Sequence, residues 1–89
     1  MKISKEKREK ICEQILSLLY ISSPKSVFTS HIAKDIIRDE DFVKRLLIEL
    51  KNKNLVAEIK KNSQGIDYSR RSKWKLSDLA YKAYKDIQS

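Results

Sequence analysis

The chain has 89 residues, of which 36% are charged, and its 20 Lys and Arg against 12 Asp and Glu give a formal net charge of +8. A chain of this length makes one small domain, and a single Gly and a single Pro exclude a loop-rich or disordered protein. No stretch approaches the roughly 18 apolar residues of a membrane span, and the charged N-terminus lacks the apolar segment of a signal peptide. We therefore expect one cytoplasmic domain over residues 1–89, with no membrane partner.

The chain contains one Cys and one His, which restricts the chemistry available to it. Cys12 has no second cysteine for an internal disulfide, although two copies of the chain could be bridged through it. Cys12 and His31 together supply too few ligands for a zinc site. There is also no glycine-rich phosphate loop, and no nucleophile with an evident base. We predict no metal, no cofactor and no enzymatic activity.

The first elements in chain order are a helix and a very short strand. Ser4 can cap a helix over residues 4–20, in which apolar residues recur on one broad face. A loop around Pro24 follows, because proline disfavours helix in the residue before it. A very short strand is expected at residues 27–28. The apolar face of the helix consists of Ile11, Ile15, Leu18 and Leu19, widened by Cys12 and Leu16.

A short helix, a tight turn and a longer helix come next. Thr29 or Ser30 can cap the short helix over residues 30–37. Asp39 can cap the longer helix over residues 40–52, and Glu40 and Asp41 then lie in its first turn, where the helix dipole favours negative charge. The positions expected to face inward are Ile32, Ala33, Ile36 and Ile37 in the short helix, and Val43, Leu46, Leu47 and Leu50 in the longer one.

Beyond the longer helix the hydrophobic pattern changes from helical spacing to alternation. Asn54 suits the left-handed residue that ends a helix, and the alternation from Leu55 to Lys60 is typical of a half-buried strand. Residues 62–65 have the composition of a hairpin tip. A two-stranded wing is therefore expected over residues 55–76.

A last helix is expected over residues 78–87. Ser77 can cap it, and Trp74 just before it is expected in the core beneath the wing. The positions of this helix expected to face inward are Leu79, Ala80, Ala83 and Ile87.

Almost all of the net charge lies in one contiguous stretch. Residues 42–77 hold ten Lys and Arg against three acids, whereas the rest of the chain holds ten against nine. Clustered cations repel one another unless a polyanion neutralises them. The stretch therefore predicts a nucleic-acid partner.

The predicted order is helix, strand, helix, helix, strand, strand, helix, which resembles a winged helix-turn-helix domain. The run of residues 43–56, VKRLLIELKNKNLV, is similar to a recognition helix that continues into the first wing strand. The run of residues 74–80, WKLSDLA, resembles the exit from the wing in MarR-like and PadR-like regulators, although Asn54 and Ala80 stand where those proteins have glycines. The resemblance implies a mainly α fold with a small β-hairpin wing, and binding to double-stranded DNA.

In such a domain the third helix would enter the major groove. Arg45 can pair with guanine O6 and N7, and Lys44 can contact a phosphate. The alternative is a solvated helix face that pairs with nearby acids. The acidic start at residues 39–41 repels phosphate, so it either caps the helix or indicates a helix that faces something other than DNA. The candidate DNA-contacting residues of this helix are Phe42, Lys44, Arg45 and Ile48.

The wing carries the stronger charge signal, since its cations can lie along phosphates while an arginine reaches the minor groove. An Asp-x-Arg motif places such an arginine in MarR-like wings, and the similar segment from Asp67 implies this role for Arg70 or Arg71. The alternative is a charged edge strand that discourages aggregation. The candidate DNA-contacting residues of the wing are Lys60, Lys61, Tyr68, Arg70, Arg71 and Lys73.

The first and last helices suggest a homodimer, the alternative being ordinary tyrosines on a monomer surface. The candidate interface residues are Ile11, Cys12, Leu16, Tyr81, Tyr84 and Gln88. We predict a dimeric, sequence-specific DNA-binding protein, found with the nucleoid when bound, that regulates transcription by promoter occlusion. A partition or centromere-binding protein, and a winged-helix module that binds protein or RNA, are the alternatives.

Overall fold

A computed structural model describes residues 4–61, 64–65 and 71–88 of the chain. These residues form the helices α1 (Lys5–Ser22), α2 (Thr29–Ile36), α3 (Glu40–Asn52) and α4 (Asp78–Gln88). The strands β1 (Val27–Phe28), β2 (Val56–Ile59) and β3 (Lys73–Leu76) form one antiparallel sheet in the order β1-β3-β2. The predicted fold, mainly α with a small β-hairpin wing, is confirmed. None of the helices in the described ranges has both the length and the apolarity that crossing a membrane requires.

The core lies where α1, α2 and α3 meet the sheet. Trp74 of β3 is fully buried at its centre, and its indole N–H donates a 2.7 Å hydrogen bond to the Thr29 hydroxyl. The inward faces predicted for α1 and α3 are largely confirmed. The buried apolar residues are Ile11, Ile15, Leu19, Val27, Ile32, Ala33, Val43, Leu46, Leu47, Leu50, Val56, Trp74, Leu76 and Ala80.

Side-chain caps fix the starts of three helices, as expected from the sequence. Ser4 accepts from the backbone N–H of Lys7, and Asp39 accepts from that of Phe42. Ser77 accepts from the backbone N–H of Ala80 at 3.1 Å and also donates to the carbonyl of Asn54. At the end of α3, Asn54 has the predicted left-handed conformation, with a φ of 63°.

The start of α2 differs from the prediction that Thr29 or Ser30 caps it. Phe28 occupies the cap position and makes no side-chain hydrogen bond to the helix. Thr29 is turned inward instead, because its hydroxyl accepts from Trp74 and donates to the carbonyl of Ser72 at 3.3 Å. A long-range contact has therefore replaced the local cap.

The end of α2 also differs from the prediction that Ile37 faces the core. Ile37 is 86% exposed and has a φ of 55°, so the chain turns its side chain away as the helix ends. A β-branched residue in this region carries backbone strain. Ile36 remains partly buried against the core.

The orientation of α4 differs most from the prediction. Leu79 and Ile87 were expected to face inward, but they are 65% and 77% exposed, and Ala83 is exposed beside them. The rings of Tyr81 and Tyr84 pack against Tyr20 of α1 instead, with centroid distances of 5.4 and 5.6 Å. Aromatic stacking thus rotates the tyrosines toward α1 and leaves Leu79, Ala83 and Ile87 as an exposed apolar stripe, the outer stripe of α4.

Candidate nucleic-acid interface

The outer face of α3 carries two of the predicted DNA-contacting cations. Lys44 and Arg45 are exposed, and Ile48 beside them is 41% exposed, because Val43 and Leu47 on the other face fill the core. Phe42 is only partly available, since it packs against the core. The face that α3 offers to a partner is therefore mainly that of Lys44, Arg45 and Ile48.

The base of the wing meets α3 beside this face. Lys44 of α3, Ser30 of α2 and Arg71, which precedes β3, line one cavity of about 210 Å³. Glu40 also lines it, so the site is not purely cationic. Two cations from elements far apart in sequence thus line one concavity.

Phe28 organises the cations of the returning wing strand. It lies opposite Lys73 in the sheet register, and the Lys73 Nζ is 4.8 Å from the centre of its ring. The Arg71 guanidinium carbon is 5.9 Å from the same ring. Cations near an aromatic face are attracted by its quadrupole. Phe28 therefore holds both cations at one edge of the sheet, a role that its position in a two-residue strand did not reveal.

The remaining wing residues predicted to bind DNA are only partly described. Lys60 and Lys61 are exposed where the chain leaves β2. Tyr68 and Arg70 lie outside the described residues, as does part of the hairpin tip predicted at residues 62–65. Among the residues that the structure describes, the predicted wing contacts are Lys60, Lys61, Arg71 and Lys73.

Two acids near the interface are engaged within the protein. Glu49 of α3 forms an ion pair with Arg8 of α1. Glu58 of β2 accepts from Lys51 at 2.9 Å and from the Ser72 hydroxyl at 2.6 Å. Lys51 is therefore paired within the protein, although its side chain is 47% exposed.

The environment of Glu58 lowers its pKa. Burial alone raises the pKa of this carboxyl, but the hydrogen bonds from Ser72 and Lys51, together with the charges of Lys51 and Lys60, outweigh burial. The net pKa lies below the ordinary value of 4.5. The folded state therefore favours the carboxylate over the acid.

This shift predicts how stability depends on pH. A carboxyl with a depressed folded-state pKa stabilises the fold above its unfolded-state pKa, and that contribution is lost as the pH falls through the folded-state value. Between about pH 6 and about pH 3, the wild type should therefore lose more unfolding free energy than Glu58→Gln. Urea denaturation at both pH values measures the difference. Equal losses in the two proteins would contradict this role for Glu58.

The residues predicted at a dimer interface differ in how much surface they offer. Ile11 is 2% exposed within the core, so it has no surface to offer a partner, and that assignment is corrected. Cys12 and Leu16 pack partly against the core, and burial raises the pKa of the Cys12 thiol. Tyr81 and Tyr84 contact Tyr20 of the same chain. The side chain of Gln88 lies outside the described residues.

No group of three or more His, Cys, Asp and Glu side chains that could hold a metal ion occurs within residues 4–61, 64–65 and 71–88.

No protein-family model matches the chain, and no curated protein matches it either.

Solved structures do resemble the chain. A MepR–DNA complex from S. aureus has a TM-score of 0.75 at 22% identity, covering 93% of this chain and 65% of MepR. A ZitR variant from Lactococcus lactis has a TM-score of 0.70 at 19% identity, covering 99% of this chain and 56% of ZitR. The transcriptional regulator PcaV from Streptomyces coelicolor, bound to its natural ligand, has a TM-score of 0.63 at 15% identity, covering 93% of this chain and 51% of PcaV.

These likenesses establish the fold, and the resemblance to MarR-like winged helix-turn-helix proteins is confirmed at that level. The chain spans less than two thirds of the length of each of these three proteins. In this fold α2 and α3 occupy the positions of the helix-turn-helix, and β2 and β3 bound the wing.

Proposed function

We propose that the chain is a sequence-specific double-stranded DNA-binding protein that regulates transcription as a homodimer, by occluding promoters. The observation that carries the proposal is the shared cavity of Lys44 and Arg71. A recognition helix and a wing act on one duplex only if their cations lie on one surface, and these two do. The likeness to MepR, which has been solved as a complex with DNA, supports the same partner.

The chemistry of the two elements assigns different tasks to their cations. Arg45 is exposed on α3, and its planar fork suits the O6 and N7 acceptors of guanine in the major groove. Lys44 and Arg71, which line one cavity, suit neighbouring phosphates of one strand, and such contacts position the protein without reading sequence. Asp39 is engaged in capping α3, which supports the view that the acidic start serves the helix.

The outer stripe of α4 supports the homodimer. A second copy would remove Leu79 and Ile87 from water, each of which is more than half exposed. A twofold axis through such a contact could set two copies of α3 about 34 Å apart, one turn of DNA, so that they read a pseudo-palindrome.

Selection of bound duplexes from random DNA tests the proposal. We expect an enriched, pseudo-palindromic sequence for the wild type, and relaxed preference at one position per half-site for Arg45→Ala. The pair Arg70→Ala and Arg71→Ala should weaken binding to all sequences while leaving the enriched sequence unchanged.

Failure of the wild type to enrich any sequence would contradict sequence-specific binding and favour the protein- or RNA-binding alternatives. Identical losses in the two variants, with unchanged sequence preference in both, would contradict the separate tasks of Arg45 and the wing.

A further inference from the structure

One carboxylate lies beneath the proposed cationic surface and is not used by the proposed contacts. The side chain of Glu58 is 10% exposed in β2, and its two oxygens accept from different elements. Oε1 accepts from Lys51 in the last turn of α3, and Oε2 accepts from the Ser72 hydroxyl just before β3. Glu58 therefore ties the end of the recognition helix to the base of the wing.

The same tie continues to α2 through Ser72. The Ser72 carbonyl accepts from the backbone N–H of Thr29 at 3.2 Å and from the Thr29 hydroxyl at 3.3 Å. Ser72 is itself 8% exposed, so water competes little for these bonds. The proposed phosphate cavity is lined by α2, α3 and the segment before β3, together with Phe28 of β1. The first three are thus linked through Ser72 and its partner Glu58.

Arg71 directly precedes Ser72 in the chain. Its Cα position is set by the adjacent residue, which is held on both its side chain and its carbonyl. A shift of Ser72 would move Arg71 relative to Lys44, which lines the same cavity.

We propose that Glu58 is a positioning residue for DNA binding, which links Ser72 to Lys51 at the end of α3 and thereby fixes the position of Arg71 relative to Lys44. The inference rests on the proposed function, because it assigns Glu58 a role in binding a duplex. It concerns a residue that does not itself contact the DNA.

Electrostatics alone makes the opposite prediction. Glu58 is an anion beside a surface meant for a polyanion, so its field opposes DNA binding. If only charge matters, Glu58→Gln should then strengthen DNA binding. If Glu58 positions the wing, the same substitution should weaken DNA binding. The sign of the change therefore separates a positioning role from a simple charge effect.

The experiment measures the affinity of a labelled mixed-sequence DNA duplex for four proteins over a range of salt concentrations. Glu58→Gln removes the charge, and Ser72→Ala removes one donor to Glu58 with no change in net charge. Glu13→Gln is the matched control, since Glu13 is an exposed acid on α1, away from the wing. The fourth protein is the wild type.

Positioning predicts that Glu58→Gln and Ser72→Ala each bind roughly 3- to 10-fold more weakly, with a salt slope shallower by about one for each subunit that binds. Loss of a phosphate contact lowers the slope, whereas a variant that is only less stable but still folded keeps the wild-type slope. Glu13→Gln should bind as tightly as the wild type or slightly more tightly.

The inference is overturned if Glu58→Gln, shown to be folded by circular dichroism, binds as tightly as Glu13→Gln with the wild-type slope. If Glu58→Gln does not fold, the affinity and salt slope of Ser72→Ala, which leaves the net charge unchanged, test the inference instead. Refutation by either variant leaves the proposed function intact, because the wild type still binds the duplex.

A wild type that fails to bind the duplex would refute the proposed function, and the positioning role is then decided without DNA. Backbone amide spectra of Glu58→Gln should show a shifted Arg71 resonance and faster hydrogen exchange at the Thr29 N–H, which bonds to Ser72. Unchanged Arg71 and Thr29 amides would overturn the positioning inference by themselves.

Discussion

Trp74→Ala is expected to leave most of the protein unfolded at physiological temperature. Trp74 is fully buried at the centre of the core. Truncating such a side chain costs about 3–5 kcal/mol, from lost burial and from the cavity that remains. Domains of this size hold only about 5–15 kcal/mol in total, and small ones lie near the lower limit.

The hydrogen bond of Trp74 adds to the cost, since the indole N–H donates to the buried Thr29 hydroxyl. Trp74→Phe should fold with a lowered melting temperature, because it keeps most of the apolar volume and loses this bond. Ile21→Ala is the control, since Ile21 is 79% exposed and its truncation should cost at most about 0.5 kcal/mol. Thermal denaturation followed by circular dichroism measures all three variants. A cooperative transition of Trp74→Ala at the wild-type temperature would contradict this account of the core.

The double variant Lys44→Ala and Arg71→Ala should lose roughly 10- to 100-fold in affinity for duplex DNA at physiological salt, because two phosphate contacts are removed from each subunit. The salt slope should fall by about two for each subunit that binds. Both side chains are exposed, so the fold should be retained.

The control for this variant is Lys10→Ala with Lys85→Ala, which removes the same charge from exposed positions on α1 and α4. Fluorescence anisotropy with a labelled duplex compares the two pairs. Equal losses of affinity would mean that net charge alone governs binding, and that the cavity at Lys44 and Arg71 has no particular role.

The sequence predicts most of what is decided locally. The start and the end of α3 were predicted correctly from Asp39 and Asn54. A helix cap and a left-handed helix terminus are each set by residues within one turn of the helix. The period of the apolar residues in α3 likewise identifies its buried face, since a 13-residue helix can present only one such stripe to the core.

What the sequence does not predict depends on residues far apart along the chain. Thr29 is a residue type that often caps helices, but its hydroxyl accepts a hydrogen bond from the buried indole of Trp74 instead. In α4 either the aliphatic face or the tyrosine face could pack inward by its spacing alone. Stacking of the tyrosines on Tyr20 of α1 decides between the two faces.

The candidate interface likewise combines features that the local sequence predicts with features that depend on distant residues. The cations could be found by counting charge, whereas their arrangement depends on strand register. Only the pairing of β1 with β3 brings Phe28 beside Lys73, and only the pairing of β2 with β3 brings Glu58 near Ser72. No periodicity in the sequence specifies those registers, so the contact of Phe28 with the wing cations and the bond between Glu58 and Ser72 were both missed.

The central claim is that the surface of α3 and the wing binds double-stranded DNA. The affinity of the wild type for a DNA duplex, measured against salt concentration beside a structured RNA of equal length, tests it most directly. If each dimer neutralises about eight phosphates, log K should fall with log[salt] at a slope near −7, and the duplex DNA should be preferred. A flat response, or equal affinity for the RNA, would contradict the claim.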